Sequence, residues 1–164
     1  MVAFSTEPVD EYTDKLRRVL KPTGGIQIRK VTNPTDGERR VLLESNTYPD
    51  PVTAIELTIT YAETGGLSVT YRENWDGDYW ECRWGRHPNA HNTDDHFHYP
   101  PDAGTSDMPP AVDASYKQDI LVMTDIGDFL AERYLDIVSS ESATYPSQYT
   151  WTNEYCSATY EFPP

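Results

Sequence analysis

Apolar and polar positions recur along the chain with two periods, and the change of period divides it into segments. Val9, Tyr12, Leu16, Val19 and Leu20 fall on one stripe at helical spacing, which predicts a helix over residues 9–20. Pro8 suits its start, and Pro22 with Gly24 and Gly25 ends it. The period then shortens to two. Residues 25–31 and 39–45 read as strands joined by a turn at 33–37. Ile55, Leu57, Ile59 and Tyr61 alternate with Glu56, Thr58 and Thr60; after Gly65-Gly66, Leu67, Val69 and Tyr71 alternate with Ser68, Thr70 and Arg72. Asp76-Gly77 is a hairpin-type turn leading into residues 79–84, where Trp80, Cys82 and Trp84 share one face and Tyr79, Glu81 and Arg83 the other.

Residues 87–92 are loop by composition, and residues 94–99 read as a short strand returning along the sheet. Pro100, Pro101, Pro109 and Pro110 make residues 100–110 an extended connection. A second helix is predicted over 116–139, with Ser115 and Gln118 as a capping box and a break near Gly127. Residues 145–162 are rich in Tyr, Thr and Trp and read as a hairpin turning near Asn153. The expected fold class is α+β: an antiparallel meander of five or six strands packed by two helices, one N-terminal and one following the histidine-rich segment. The length fits one domain over 1–164, with 140–164 as an aromatic C-terminal extension.

Composition alters this picture in two ways. Apolar residues make up 37%, below the usual roughly 45–50%, and 12 Tyr and 4 Trp supply the missing contact area. The 27 acids against 13 bases give a net charge of −14, spread along the chain, with only four lysines. Such composition resembles cytosolic proteins of halophilic archaea. In molar salt the screening length falls to about 3 Å, so a crowded acidic surface is tolerated. Eight of the thirteen bases lie between Lys15 and Arg40, read either as a solvated basic face or as a local polyanion contact. Cys82 and Cys156 form no metal-type pair. The start of the chain has no signal-peptide pattern and no apolar stretch is long enough to span a membrane, so the expected location is the cytoplasm.

All four histidines, His87, His91, His96 and His98, fall within twelve residues, directly after Arg83, Trp84 and Arg86. On a strand, His96 and His98 project from one face and Phe97 from the other; His87 and His91 sit on the loop before it, and Arg83 lies at the end of the preceding strand. Three chemistries fit. In the first, one imidazole takes a proton from a ribose 2′-hydroxyl and another protonates the leaving oxygen, while Arg83 or Arg86 stabilises the charge on the phosphate; RNA is cleaved with no metal or other cofactor. In the second, His87, His91, His96 and His98 ligate zinc, copper or nickel, with Asp94 or Asp95 adding an oxygen. In the third, the imidazoles serve only to hydrogen-bond the loop and strand ends. Trp75, Trp80 and Trp84 read as core more readily than as a base-stacking platform. No phosphate loop or nucleophile elbow occurs.

The run Arg83-Trp84, His87-Pro88, His91 and His96-Phe97-His98, followed by a helix carrying Arg133, resembles the TumE-type toxins of bacterial and archaeal toxin–antitoxin systems over residues 68–134. The chain departs from that pattern at Gly85, where the family has Asp after Arg-Trp. The resemblance implies a small toxin acting on RNA, with an antitoxin as partner. Its expected catalytic residues are His96, His98, Arg83, His87 and His91, and its expected substrate contacts are Arg86, Trp84 and Arg133.

Overall fold

The computed structural model describes residues 7–21, 25–44, 47–62, 66–88, 94–101, 103, 111–116, 118–139 and 146. The expected C-terminal hairpin, His91 and Cys156 lie outside them. The fold is α+β. Helix α1 (Glu7–Leu20) precedes strands β1 (Gln27–Thr35), β2 (Glu38–Glu44), β3 (Val52–Ala62), β4 (Gly66–Trp75), β5 (Asp78–Arg86) and β6 (Asp95–His98); a three-residue strand β7 (Ala111–Asp113) and helix α2 (Asp119–Ser139) follow. The strands lie in one sheet in chain order, each antiparallel to the next. The meander is as expected, with β7 added beyond β6.

Side-chain parity decides what each sheet face does. Val41 and Leu43 of β2, Ile55, Leu57 and Ile59 of β3, Leu67, Val69 and Tyr71 of β4, Trp80, Cys82 and Trp84 of β5, and Phe97 of β6 are all buried in one cluster. Val9, Leu16 and Leu20 of α1 and Val122, Ile126, Phe129 and Leu130 of α2 belong to the same cluster, so both helices cover this face. Phe129 stands edge-on to Tyr71 and to Trp84, at 5.0 Å from each ring centroid. The three tryptophans Trp75, Trp80 and Trp84 are therefore core, as the sequence suggested.

Three boundaries differ from expectation. Strand β1 runs through Asn33-Pro34 to Thr35, so the turn contracts to Asp36-Gly37. Proline is tolerated there because β1 is an edge strand, with the register shifting between Thr32 and Thr35. The guanidinium of Arg39 holds this turn: it donates to the carbonyls of Thr35, Asp36 and Glu38 and to Asp10 of α1 at 2.9 Å. Helix α2 begins at Asp119, not at 116, because Tyr116 is held elsewhere, its N–H donating to Asp95 Oδ2 at 2.7 Å. The expected break at Gly127 is also corrected: α2 is continuous through it.

Gly127 is there for helix–helix approach. A Cβ at this position would lie 2.7 Å from Val19 Cγ2 and 2.9 Å from Val19 Cβ on α1. Ala would gain about 1 kcal/mol of helix propensity but overpack a contact whose β-branched partner cannot rotate clear, costing about 1–3 kcal/mol. Gly127→Ala is therefore expected to be net destabilising, read as a lower urea midpoint in high salt; a raised midpoint would refute the packing argument.

The hairpin between β4 and β5 turns on Asp76 (φ 52°) and Gly77 (φ 102°), two successive left-handed residues. That conformation matches the twist of the paired strands and explains the Asp-Gly pair. The hairpin puts Ser68 opposite Gly85 and Thr70 opposite Arg83. It thereby sets the face of the sheet away from the helices.

Candidate functional site

The face opposite the helices carries the histidines. β6 pairs with β5 so that Arg83 lies across from His98 and Gly85 across from His96, while Trp84 meets Phe97 on the core side. Phe97 is fully buried against Trp84, with ring centroids 5.4 Å apart. Alternation then sends His96 and His98 to the other side together, as the sequence pattern required. Their rings are 5.0 Å apart and edge-to-face; His87 stands 4.7 Å from His96 in the same relation. Three imidazoles thus form one contiguous row beside Arg83.

Two glycines make room for this row. A Cβ on Gly85 would overlap Nε2, Cε1 and Cδ2 of His96, so that imidazole lies directly over the β5 backbone. A Cβ on Gly66, at the start of β4, would come within 2.8 Å of His87 Cβ. Gly85 is the position where the sequence departs from the Arg-Trp-Asp pattern, and the geometry accounts for the small residue. The loop base is closed by the His87 N–H donating to the Asp94 carbonyl at 3.0 Å.

Backbone carbonyls set the imidazole tautomers. His96 Nδ1 is 3.1 Å from the Asp94 carbonyl, and His87 Nδ1 is 3.2 Å from the Pro88 carbonyl. A carbonyl only accepts, so each Nδ1 carries the proton and each Nε2 lone pair is the basic site of the neutral ring. Burial is graded along the row. His96 is 1% exposed and His98 7%, whereas His87 and Arg83 are half-buried. Desolvation lowers the pKa of Arg83, and the nearby Glu81 carboxylate opposes that shift. Glu81 in turn pairs with Arg72, whose guanidinium stacks on the Tyr79 ring 4.8 Å from its centroid.

The other residues singled out from the sequence lie on the helix-covered face. Trp84 is fully buried and donates from Nε1 to Asp125 Oδ2 of α2 at 3.0 Å. Arg86 reaches Asp119 of α2 at 3.0 Å and Asp95 of β6 at 3.4 Å, tying the start of α2 to the sheet. Arg133 forks onto the buried Glu73, Nε to Oε1 at 2.5 Å and NH2 to Oε2 at 2.8 Å, with its guanidinium 4.5 Å above the Trp80 ring. Sheet parity sends Trp84 and Arg86 away from the imidazoles, and α2 brings Arg133 in from the same helix-covered side. Burial also pushes the Cys82 thiol up, which removes it as a nucleophile.

Sequence reasoning missed Glu73 and Asp125, and it gave Gly66 and Gly85 no part in seating the imidazoles. Glu73 carried a legible signal, because it follows Leu67, Val69 and Tyr71 in the core-facing phase of β4. A carboxylate in that phase demands a buried partner. Among the described residues no group of three or more His, Cys, Asp or Glu side chains is disposed to hold one metal ion.

With this geometry in place, comparison with known proteins is decisive for the family. A family model described as Toxin TumE matches residues 15–132, more than two thirds of the chain. The chain belongs to the TumE toxin family. No curated protein and no solved structure matches it. The match to the TumE model takes in the end of α1, every described strand and most of α2, so it extends well beyond the histidine segment that first suggested the resemblance. Among the described residues no helix is long and apolar enough to cross a membrane.

Proposed function

We propose that this TumE-family chain is a toxin that cleaves RNA by general acid–base catalysis at the His87–His96–His98 row, with Arg83 neutralising the phosphate. The observation that carries the reading is the contiguous row of three imidazoles beside a guanidinium on one sheet face. His87 and Arg83, half-buried at the surface of the row, meet the substrate. His87 Nε2 takes the proton of a ribose 2′-hydroxyl, whose oxygen attacks the adjacent phosphorus. A second, protonated imidazole of the row within hydrogen-bond reach of the departing 5′-oxygen returns a proton to it, leaving a 2′,3′-cyclic phosphate. Arg83 stabilises the charge on the phosphoryl oxygens as a bidentate donor. The family supports an antitoxin as the neutralising partner, and the acidic composition supports a high-salt cytoplasm as the working environment.

The test uses purified full-length chain in molar KCl with RNA and a chelator. Cleavage is expected to survive the chelator and to fall by about 10²-fold or more in His87→Ala, with an unchanged thermal midpoint because His87 is not core. Equal cleavage by wild type and His87→Ala would refute the mechanism.

One observation favours a second reading. His96 is almost fully enclosed and sits on the Gly85 backbone, as a packing element would. In that case the imidazoles stiffen the β5–β6 corner of a non-enzymatic binding module. A loss of stability in His96→Ala and His98→Ala, with no RNA cleavage by wild type, would favour it.

A further inference from the structure

A basic cleft of this acidic chain lies at the opposite edge of the sheet from the histidines. Arg17 and Lys21 at the end of α1 and Arg29 and Lys30 on β1 line one cleft of about 630 Å³. No acid lines it. All four bases are exposed. Among the described residues only Arg17 is ion-paired, with Asp14 at 2.7 Å, so Lys21, Arg29 and Lys30 stay uncompensated. The floor between the bases is aliphatic: Leu20 and Ile26 are buried, and Ile28 and Val31 are half-buried.

Beside this cleft runs the outer edge of β1. Among the described residues β1 pairs only with β2, so one row of its backbone N–H and C=O groups faces outward. An edge of this kind is a template for an added strand. The register shift between Ile28 and Lys30 also brings the adjacent bases Arg29 and Lys30 onto the cleft together.

We propose that the β1 edge and its basic cleft bind an extended acidic segment of a partner polypeptide, added as an eighth strand. Alternate acidic residues of the segment meet Arg17, Lys21, Arg29 and Lys30, and the intervening aliphatic ones lie on Leu20 and Ile28. Charge complementarity selects the occupant. In a chain of net charge −14, four bases gathered around an apolar floor single out a partner that is both acidic and apolar. A nucleic acid fits less well, since among the described residues no aromatic ring lines the cleft for base stacking and the aliphatic floor offers a phosphate nothing. The alternatives to an interface are that Arg17 only complements the helix C-terminus and that the edge bases only discourage aggregation. Neither accounts for their convergence with Lys21 on one apolar-floored cleft. This proposal does not rest on the histidine mechanism.

The test is fluorescence anisotropy of the full-length chain with a labelled octapeptide of alternating Glu and Val, at low and at molar KCl. Two controls are the same peptide N-methylated at alternate amides and an eight-nucleotide single-stranded RNA. Saturable peptide binding is expected, weakened about tenfold or more by Arg29→Glu with Lys30→Glu and abolished by N-methylation. Both replaced residues are exposed, and an unchanged thermal midpoint confirms that the variant is folded. Absence of peptide binding, equal binding by the double variant or the methylated peptide, or saturable RNA binding that the double variant removes while the peptide fails, would each overturn the proposal. His87→Ala is expected to bind the peptide as wild type does, which keeps this result separate from the cleavage assay.

Discussion

Replacing Arg133 with alanine is expected to destabilise the protein by about 3–5 kcal/mol, the cost of stranding a buried carboxylate. Glu73 is fully buried and accepts four hydrogen bonds: from the Tyr71 hydroxyl at 2.8 Å, from Trp75 Nε1 at 2.7 Å, and from Nε and NH2 of Arg133. Tyr71 and Trp75 remain after the substitution, but they are neutral donors and do not compensate the charge. The Arg133 stem and its contact with Trp80 are lost as well. A double variant, Glu73→Gln with Arg133→Met, removes the charge along with its partner and keeps one acceptor for the two aromatic donors. It is expected to recover at least half of the loss, because the penalty lies in the unpaired ion more than in the missing attraction. Urea unfolding of the three proteins at low and molar KCl measures this. The Arg133→Ala loss should persist in molar salt, since screening acts little on a buried pair. A loss under about 1 kcal/mol, typical of a surface ion pair, would show that Glu73 is not isolated from solvent. So would a double variant no better than the single.

The second large effect is expected at Gly85. Valine there drives its branched Cβ into the His96 ring, which is flanked by His87 and His98 and has no open side within the row. Overpacking of this kind costs about 1–3 kcal/mol, so the urea midpoint should fall. The displaced imidazole also loses its 3.1 Å bond to the Asp94 carbonyl, and with it the fixed tautomer. RNA cleavage at saturating substrate should then drop by about 10²–10⁴-fold, the usual contribution of a positioned acid–base group, at temperatures where the variant remains folded. The two readouts separate the two readings of the histidine row. A stability loss without any cleavage in wild type supports a packing role, and cleavage unaffected in a folded Gly85→Val protein would remove His96 from the mechanism.

Much of the molecule was legible from residue order alone. Strict alternation through β3, β4 and β5, the Asp76-Gly77 turn and the period-3.6 stripe of α1 are local signals, and each element formed where its pattern lay. The pairing of His96 with His98 on one face followed from the same alternation, with Phe97 as the core anchor. Trp84, Arg86 and Arg133 do not stand with the histidines, because closeness in sequence says nothing about which face a neighbouring side chain takes. Trp84 adjoins Arg83 and faces the other way. Arg133 reaches the sheet only through the packing of α2, where Glu73 captures it.

Period and turn chemistry determined the strand order, the two helices and the face on which the histidines stand, since these depend on neighbours a few residues apart. Tertiary structure alone decided which charges were sequestered, why Gly85 and Gly127 must be small, and how far each imidazole is enclosed. Those outcomes depend on the distance between segments remote in the chain, and on whether a partner arrives to offset the loss of water around a buried group.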